Sequence, residues 1–135
     1  MERIGIAVLG LGWMGQAHSR SALRIPSLFP DRAFTPELVV CADVEESRRR
    51  RAVDDFGFAR AVEDWHEAVT ADDVDAVWVT APNMLHIPMI EAATYGVAYR
   101  AKPKARAAAD GWVDRGDLTV VLRLLGVAEK DWVRG

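Results

Sequence analysis

At 135 residues, with 50% hydrophobic and 27% charged side chains, the chain has the size and composition of one globular domain. That excludes wholesale disorder, collagen and a disulfide-stapled miniprotein. A formal net charge of −3 argues against nucleic-acid binding, and a lone cysteine, Cys41, excludes an intrachain disulfide and suits a reducing compartment.

The apolar run Ile4–Leu9 is interrupted by Gly5 and followed by Gly10, Gly12 and Gly15, so it reads as a buried first strand rather than a signal peptide. Met14 to about Leu23 suits a helix. Pro26, Pro30 and Pro36 then predict a long irregular connection, because proline lacks an amide donor and disfavours helix before it. Leu38–Ala42 is a second strand, fully apolar as a central parallel strand should be, and Asp43 ends it. Glu45–Phe56 is a helix with acidic residues in its first turn and Gly57 as its C-terminal stop.

Phe58–Val62 suggests a short third strand, Asp64–Val69 a short helix, and Ala76–Thr80 a fourth strand broken by Pro82-Asn83. A helix from about Pro88 to Tyr95 stops at Gly96, and Val97–Tyr99 starts a fifth strand. Alternating strands and helices with right-handed crossovers predict an α/β fold: a doubly wound parallel sheet with helices on both faces. Trp65 and Trp78 are expected in the core. Beyond Lys102 the pattern is mixed: Ala105–Asp110 suits a helix, Leu118–Leu125 reads as strand or helix, and Trp112 and Trp132 have no clear place. No apolar stretch reaches the roughly 18 residues that a membrane span needs, so the expectation is a cytoplasmic protein with no membrane partner.

Gly10-Leu11-Gly12-Trp13-Met14-Gly15 matches G-x-G-x-x-G between a strand and a helix, the context in which the motif binds a dinucleotide. Gly10 allows the tight turn, Gly12 lets the backbone approach a pyrophosphate, and Gly15 lets the helix pack on the strand. The helix N-terminus, including Trp13 and Met14, then faces the phosphates. Asp43, 28 residues after Gly15, is placed to accept hydrogen bonds from an adenosine ribose. It equally resembles an N-cap, forming a capping box with Glu46. A carboxylate here repels a 2′-phosphate and favours NAD over NADP. Arg48-Arg49-Arg50-Arg51 reads as a solvated helix face, from which Arg48 could swing toward such a phosphate.

The loop after the fourth strand supplies Thr80, Pro82, Asn83 and His86. It lies where doubly wound sheets bind ligands, beyond the strand ends near the switch point. Asn83 offers both a donor and an acceptor to a ribose or carboxamide. His86 does the same or simply caps the next helix. The three histidines and Cys41 show no metal-ligand spacing.

Four features together resemble the N-terminal domain of the Gfo/Idh/MocA oxidoreductases. They are the glycine motif, Ala42-Asp43, Asp75-Ala76-Val77 and Pro82-Asn83-x-x-His86, and the resemblance covers about residues 3–103. It implies a dinucleotide-binding domain over residues 1–103, a divergent tail over 104–135, and hydride transfer between NAD(P) and a secondary alcohol of a sugar or polyol. It also implies a role for Lys102. In the family a lysine of a Glu-Lys-Pro motif assists proton transfer near the nicotinamide, and the match here is Ala101-Lys102-Pro103, with alanine replacing the glutamate. Members carry a second domain that forms the substrate site and usually supplies a catalytic histidine. The expectation is therefore a truncated cofactor half, weakly active or inactive alone, with exposed apolar surface that invites self-association. The alternative is a non-catalytic NAD(H) sensor. A methyltransferase fits less well, because the full dinucleotide spacing and the Pro-Asn turn occur together.

Overall fold

The computed structural model describes residues 1–93, 97–99 and 101–114. In chain order the elements are β1 (Glu2–Leu9), α1 (Trp13–Leu28), β2 (Phe34–Ala42), α2 (Glu46–Phe56), β3 (Arg60–Val62) and α3 (Trp65–Val69). There follow β4 (Ala76–Val79), α4 (Asn83–Ala92), β5 (Val97–Tyr99), α5 (Pro103–Ala108) and β6 (Gly111–Val113). The main sheet is parallel, in the order β3-β2-β1-β4. The chain winds outward from β1 through β2 to β3, then crosses back to place β4 on the other side of β1. The switch point thus lies between β1 and β4.

Side-chain alternation along β1 feeds two cores. Ile6 and Val8 join Leu38, Cys41, Ala22 of α1, and Ala52 and Phe56 of α2 on one face. Ala7 and Leu9 join Val40, Ala42, Ala68 of α3 and Met89 of α4 on the other. Each fully buried Val8, Leu9 or Phe58 side chain contributes about 1.5–3 kcal/mol. β2 holds one extra residue opposite the Ile6–Ala7 step, a bulge that resets which of its side chains face each core. Trp78 and Trp65 are half-buried against the first and second core respectively, close to the places expected for them.

Several boundaries differ from the sequence expectation, and prolines account for most of them. Pro26 lies inside α1, which runs on to Leu28 and closes with Phe29 N donating to Ile25 O at 2.9 Å. The proline removes one hydrogen bond near the helix end, and the remaining turn survives. Pro36 lies inside β2. There β2 pairs with β1 alone, since β3 reaches only residues 40–42. An open edge tolerates a missing amide. Pro88 lies within α4, which starts five residues before the expected position, at Asn83. Gly57 does end α2, in the left-handed conformation at φ 72°. Gly57 N donates to Val53 O at 3.2 Å and Phe58 N to Ala52 O at 3.1 Å, which satisfies the last carbonyls.

β5 does not join the main sheet as expected. It pairs in parallel with β6 in a separate two-stranded sheet. The expected helix end at Tyr95 and Gly96, the Leu118–Leu125 segment and Trp132 lie outside the described residues. Among the described residues no helix is long and apolar enough to cross a membrane.

Cys41 shows how dry the first core is. Burial, reinforced by the nearby Asp43 charge, pushes its thiol from an ordinary 9.0 up to about 12. The unfolded chain releases this proton at the lower pH. Cys41 therefore contributes stability that is intact below pH 9 and is lost as pH rises from about 9 toward 12. We expect no reaction with a disulfide-exchange reagent at pH 8 in the native protein and one equivalent in denaturant. Rapid native labelling would contradict the burial.

Candidate dinucleotide site

Three strand ends converge at the carboxyl edge of the sheet. β1 delivers the glycine turn, β2 on one side delivers Asp43, and β4 on the other delivers the loop Thr80–His86. The glycines have different reasons for being glycine. Gly10 adopts φ 94°, and a Cβ there would stand 2.8 Å from Ala81 Cα. Gly15 faces the turn it leaves, and a Cβ there would stand 2.0 Å from Gly10 O. Both are required by the protein's own packing. Gly12 is not: a Cβ there meets nothing within 4 Å, and its backbone (φ −70°, ψ −163°) is open to any residue.

Gly12 caps α1 with no side-chain hydrogen bond, and the first turn holds no acidic residue. Helix-opening amides with open space beside Gly12 and no acidic residue in their own first turn fit an anion. The residues present therefore fit a dinucleotide pyrophosphate, and the space a Gly12 side chain would fill is where it would lie. Trp13 is 81% exposed and Met14 is also exposed, and both follow Gly12 directly in the first turn of α1.

Asp43 is 7% exposed, and backbone amides engage both of its carboxylate oxygens. Oδ2 accepts from Leu11 N at 2.8 Å, and Oδ1 from Glu45 N at 2.9 Å. The residue at the N-cap of α2 is Glu45, with no side-chain capping bond. The capping-box pairing with Glu46 is therefore not formed, because Asp43 reaches across to the glycine turn instead. Each carboxylate oxygen keeps a lone pair for a ribose hydroxyl.

The arginine run lies on a largely exposed helix face, as expected, and is laced with ion pairs. Arg48 lies 3.2 Å from a Glu45 carboxylate oxygen and 3.7 Å from Asp43 Oδ2. Arg49 donates to the Asp43 and Val44 carbonyls, while Arg50 and Arg51 pair with Glu46 and Asp55. Arg48 thus stands beside the Asp43 carboxylate.

On the β4 side, Thr80 N donates to Leu9 O at 3.0 Å, and Thr80 Oγ1 donates to Gly10 O at 2.6 Å. Pro82 caps α4, its carbonyl accepting from Leu85 N at 2.9 Å, and Asn83 is the exposed first residue of that helix. The His86 ring turns back, with Nε2 2.6 Å from Ala81 O. A carbonyl only accepts, so Nε2 carries the proton and a neutral ring keeps Nδ1 as an acceptor. His86 therefore braces the loop from inside the first helical turn. Lys102 belongs to none of these strand ends. It is the exposed N-cap of α5, with Pro103 in the first turn.

Sequence alone places Thr80 among the cofactor ligands and carries no sign of its bond to Gly10. Nothing in local spacing signals a contact that spans 70 residues of chain. Among the described residues no cluster of three or more His, Cys, Asp or Glu could hold a metal.

Comparison with known proteins supports the same reading. A family model described as "Oxidoreductase family, NAD-binding Rossmann fold" matches residues 4–96. Levoglucosan dehydrogenase of Pseudarthrobacter phenanthrenivorans is 29% identical over 93 residues, covering 69% of this chain and 24% of that protein. Inositol 2-dehydrogenase of Rubrobacter xylanophilus is 31% identical over 90 residues, covering 66% and 23%. The chain thus spans about a quarter of the length of the curated relatives it matches.

Among solved structures, levoglucosan dehydrogenase in complex with NADH and L-sorbose superposes with a TM-score of 0.70 at 26% identity, over 80% of this chain and 31% of that one. An NAD-binding oxidoreductase from Klebsiella pneumoniae gives 0.67 at 31% identity, over 82% and 34%.

Proposed function

The chain belongs to the Gfo/Idh/MocA oxidoreductase family, and from that premise we propose that the carboxyl edge of its sheet holds NAD. The space in front of Gly12 carries this reading, because among the described residues no packing contact accounts for a glycine there. The amides opening α1 would hold the pyrophosphate and Asp43 the adenosine ribose. Asn83 and the braced Thr80–His86 loop would face the nicotinamide half, with Trp13 and Met14 at the rim. Residues 1–103 form the dinucleotide-binding unit in this reading, and 104–135 a divergent tail.

When bound, the nicotinamide supplies the hydride acceptor for a secondary alcohol, and we propose a sugar or polyol as the substrate class. Support comes from the relatives named levoglucosan and inositol dehydrogenase. Lys102 matches the family lysine that moves the hydroxyl proton. Its exposed position at the start of α5 requires further protein or bound substrate to bring that proton into a closed site.

The Asp43 carboxylate disfavours a 2′-phosphate by direct repulsion. Calorimetric titration with NADH and NADPH should show NADH binding at least about tenfold tighter, which is 1.4 kcal/mol or more. Equal or inverted affinities would contradict the ribose role of Asp43 and make Arg48 the dominant charge.

A further inference from the structure

The Gly10–Leu11 peptide unit is held from both sides by side chains of other strands. Its carbonyl, Gly10 O, accepts from Thr80 Oγ1 at 2.6 Å at the end of β4. Its amide, Leu11 N, donates to Asp43 Oδ2 at 2.8 Å at the end of β2. The Thr80 hydroxyl has a single proton. Leu9 O, 3.2 Å from that hydroxyl, is already served by the Thr80 backbone amide, so the proton goes to Gly10 O.

A peptide plane is rigid and turns as a unit about its two flanking Cα atoms. Gly10, at φ 94°, is the flanking residue with the widest conformational choice. Holding both ends of this plane removes that choice. It fixes the direction in which Gly12 and the following amides open toward the anion space.

We infer that Thr80 is a positioning residue for the cofactor. Its hydroxyl and the Asp43 carboxylate grip opposite ends of one peptide plane and so pre-orient the glycine turn for the pyrophosphate. Thr80 then acts on the cofactor through Gly10 rather than by touching it, and Asp43 has a second task besides the ribose. This inference rests on the proposed dinucleotide site.

The test compares the wild type with Thr80→Val, which keeps the shape and loses the hydroxyl, and with Thr80→Ser, which keeps the hydroxyl. Two quantities are measured: amide hydrogen exchange at Leu11 in the free protein, and NADH affinity. Exchange at Leu11 is taken as a ratio to Val8 in the same molecule, so any global loosening cancels.

Thr80→Val should raise the Leu11 ratio about tenfold and weaken NADH binding about tenfold, although the substitution touches neither the Leu11 amide nor Asp43. Thr80→Ser should restore both. An unchanged Leu11 ratio in Thr80→Val overturns the grip. A raised ratio with unchanged NADH affinity overturns the positioning role. If the wild type itself does not bind NADH, the dinucleotide reading fails, and the exchange ratios alone decide the grip.

Discussion

Replacing Gly15 by alanine should cost the protein about 2–4 kcal/mol, a large share of a small domain's stability. Propensity predicts the opposite, since alanine in place of a helical glycine gains about 1 kcal/mol. Geometry decides against propensity. The new Cβ would stand 2.0 Å from Gly10 O and 3.1 Å from Thr80 Oγ1. Gly10 O is not free to retreat, because the Thr80 hydroxyl holds it at 2.6 Å and Gly10 N is tied to Ala42 O at 2.8 Å. Relief would require α1 to lift from β1, opening the core where Leu11 and Ala22 are buried. Urea unfolding of Gly15→Ala beside the wild type measures the loss. A midpoint at or above the wild-type value would show that helix and strand approach less closely than the structure indicates.

Gly12→Val should behave in the opposite way, nearly neutral for folding and severe for binding. Apart from its chain neighbours, no atom of the described residues lies within 4 Å of the new Cβ, and the backbone conformation suits a branched residue. The one folding cost is a poorer N-cap, about 1 kcal/mol or less. The branched side chain would fill the space in front of the α1 amides. Binding of a pyrophosphate there should weaken about 100-fold, close to 2.7 kcal/mol. The two substitutions would thus separate a packing role for Gly15 from the ligand role proposed for Gly12.

Much of this arrangement is legible from local sequence. Val8, Leu9, Val40 and Cys41 sit in continuous apolar runs because parallel strands covered on both faces require them. Gly57 marks the end of α2 because a left-handed residue closes the helix there. The glycine motif and Asp43 appear at their expected strand ends. The prolines were misleading because their cost depends on surroundings. Pro36 is tolerated by an open strand edge that its own sequence does not reveal. The partner of Val97–Tyr99 was equally hidden, since a three-residue strand has too few ladder bonds to specify its neighbour. Asp43 looked like a helix cap because its neighbours fit that pattern. Its bond to Leu11 and the Thr80 bond to Gly10 depend on tertiary contact between strand ends. Those long-range contacts turn a glycine-rich string into a fixed turn.

The central claim is that the space in front of Gly12 is the cofactor's place. It is tested most directly by titrating NADH into the wild type and into Gly12→Val, with both melting curves recorded on the same samples. The account predicts saturable binding at one site per wild-type chain, about 100-fold weaker binding in the variant, and melting temperatures within a few degrees of each other. Equal NADH binding by the two proteins, or no binding by a folded wild type, would contradict it.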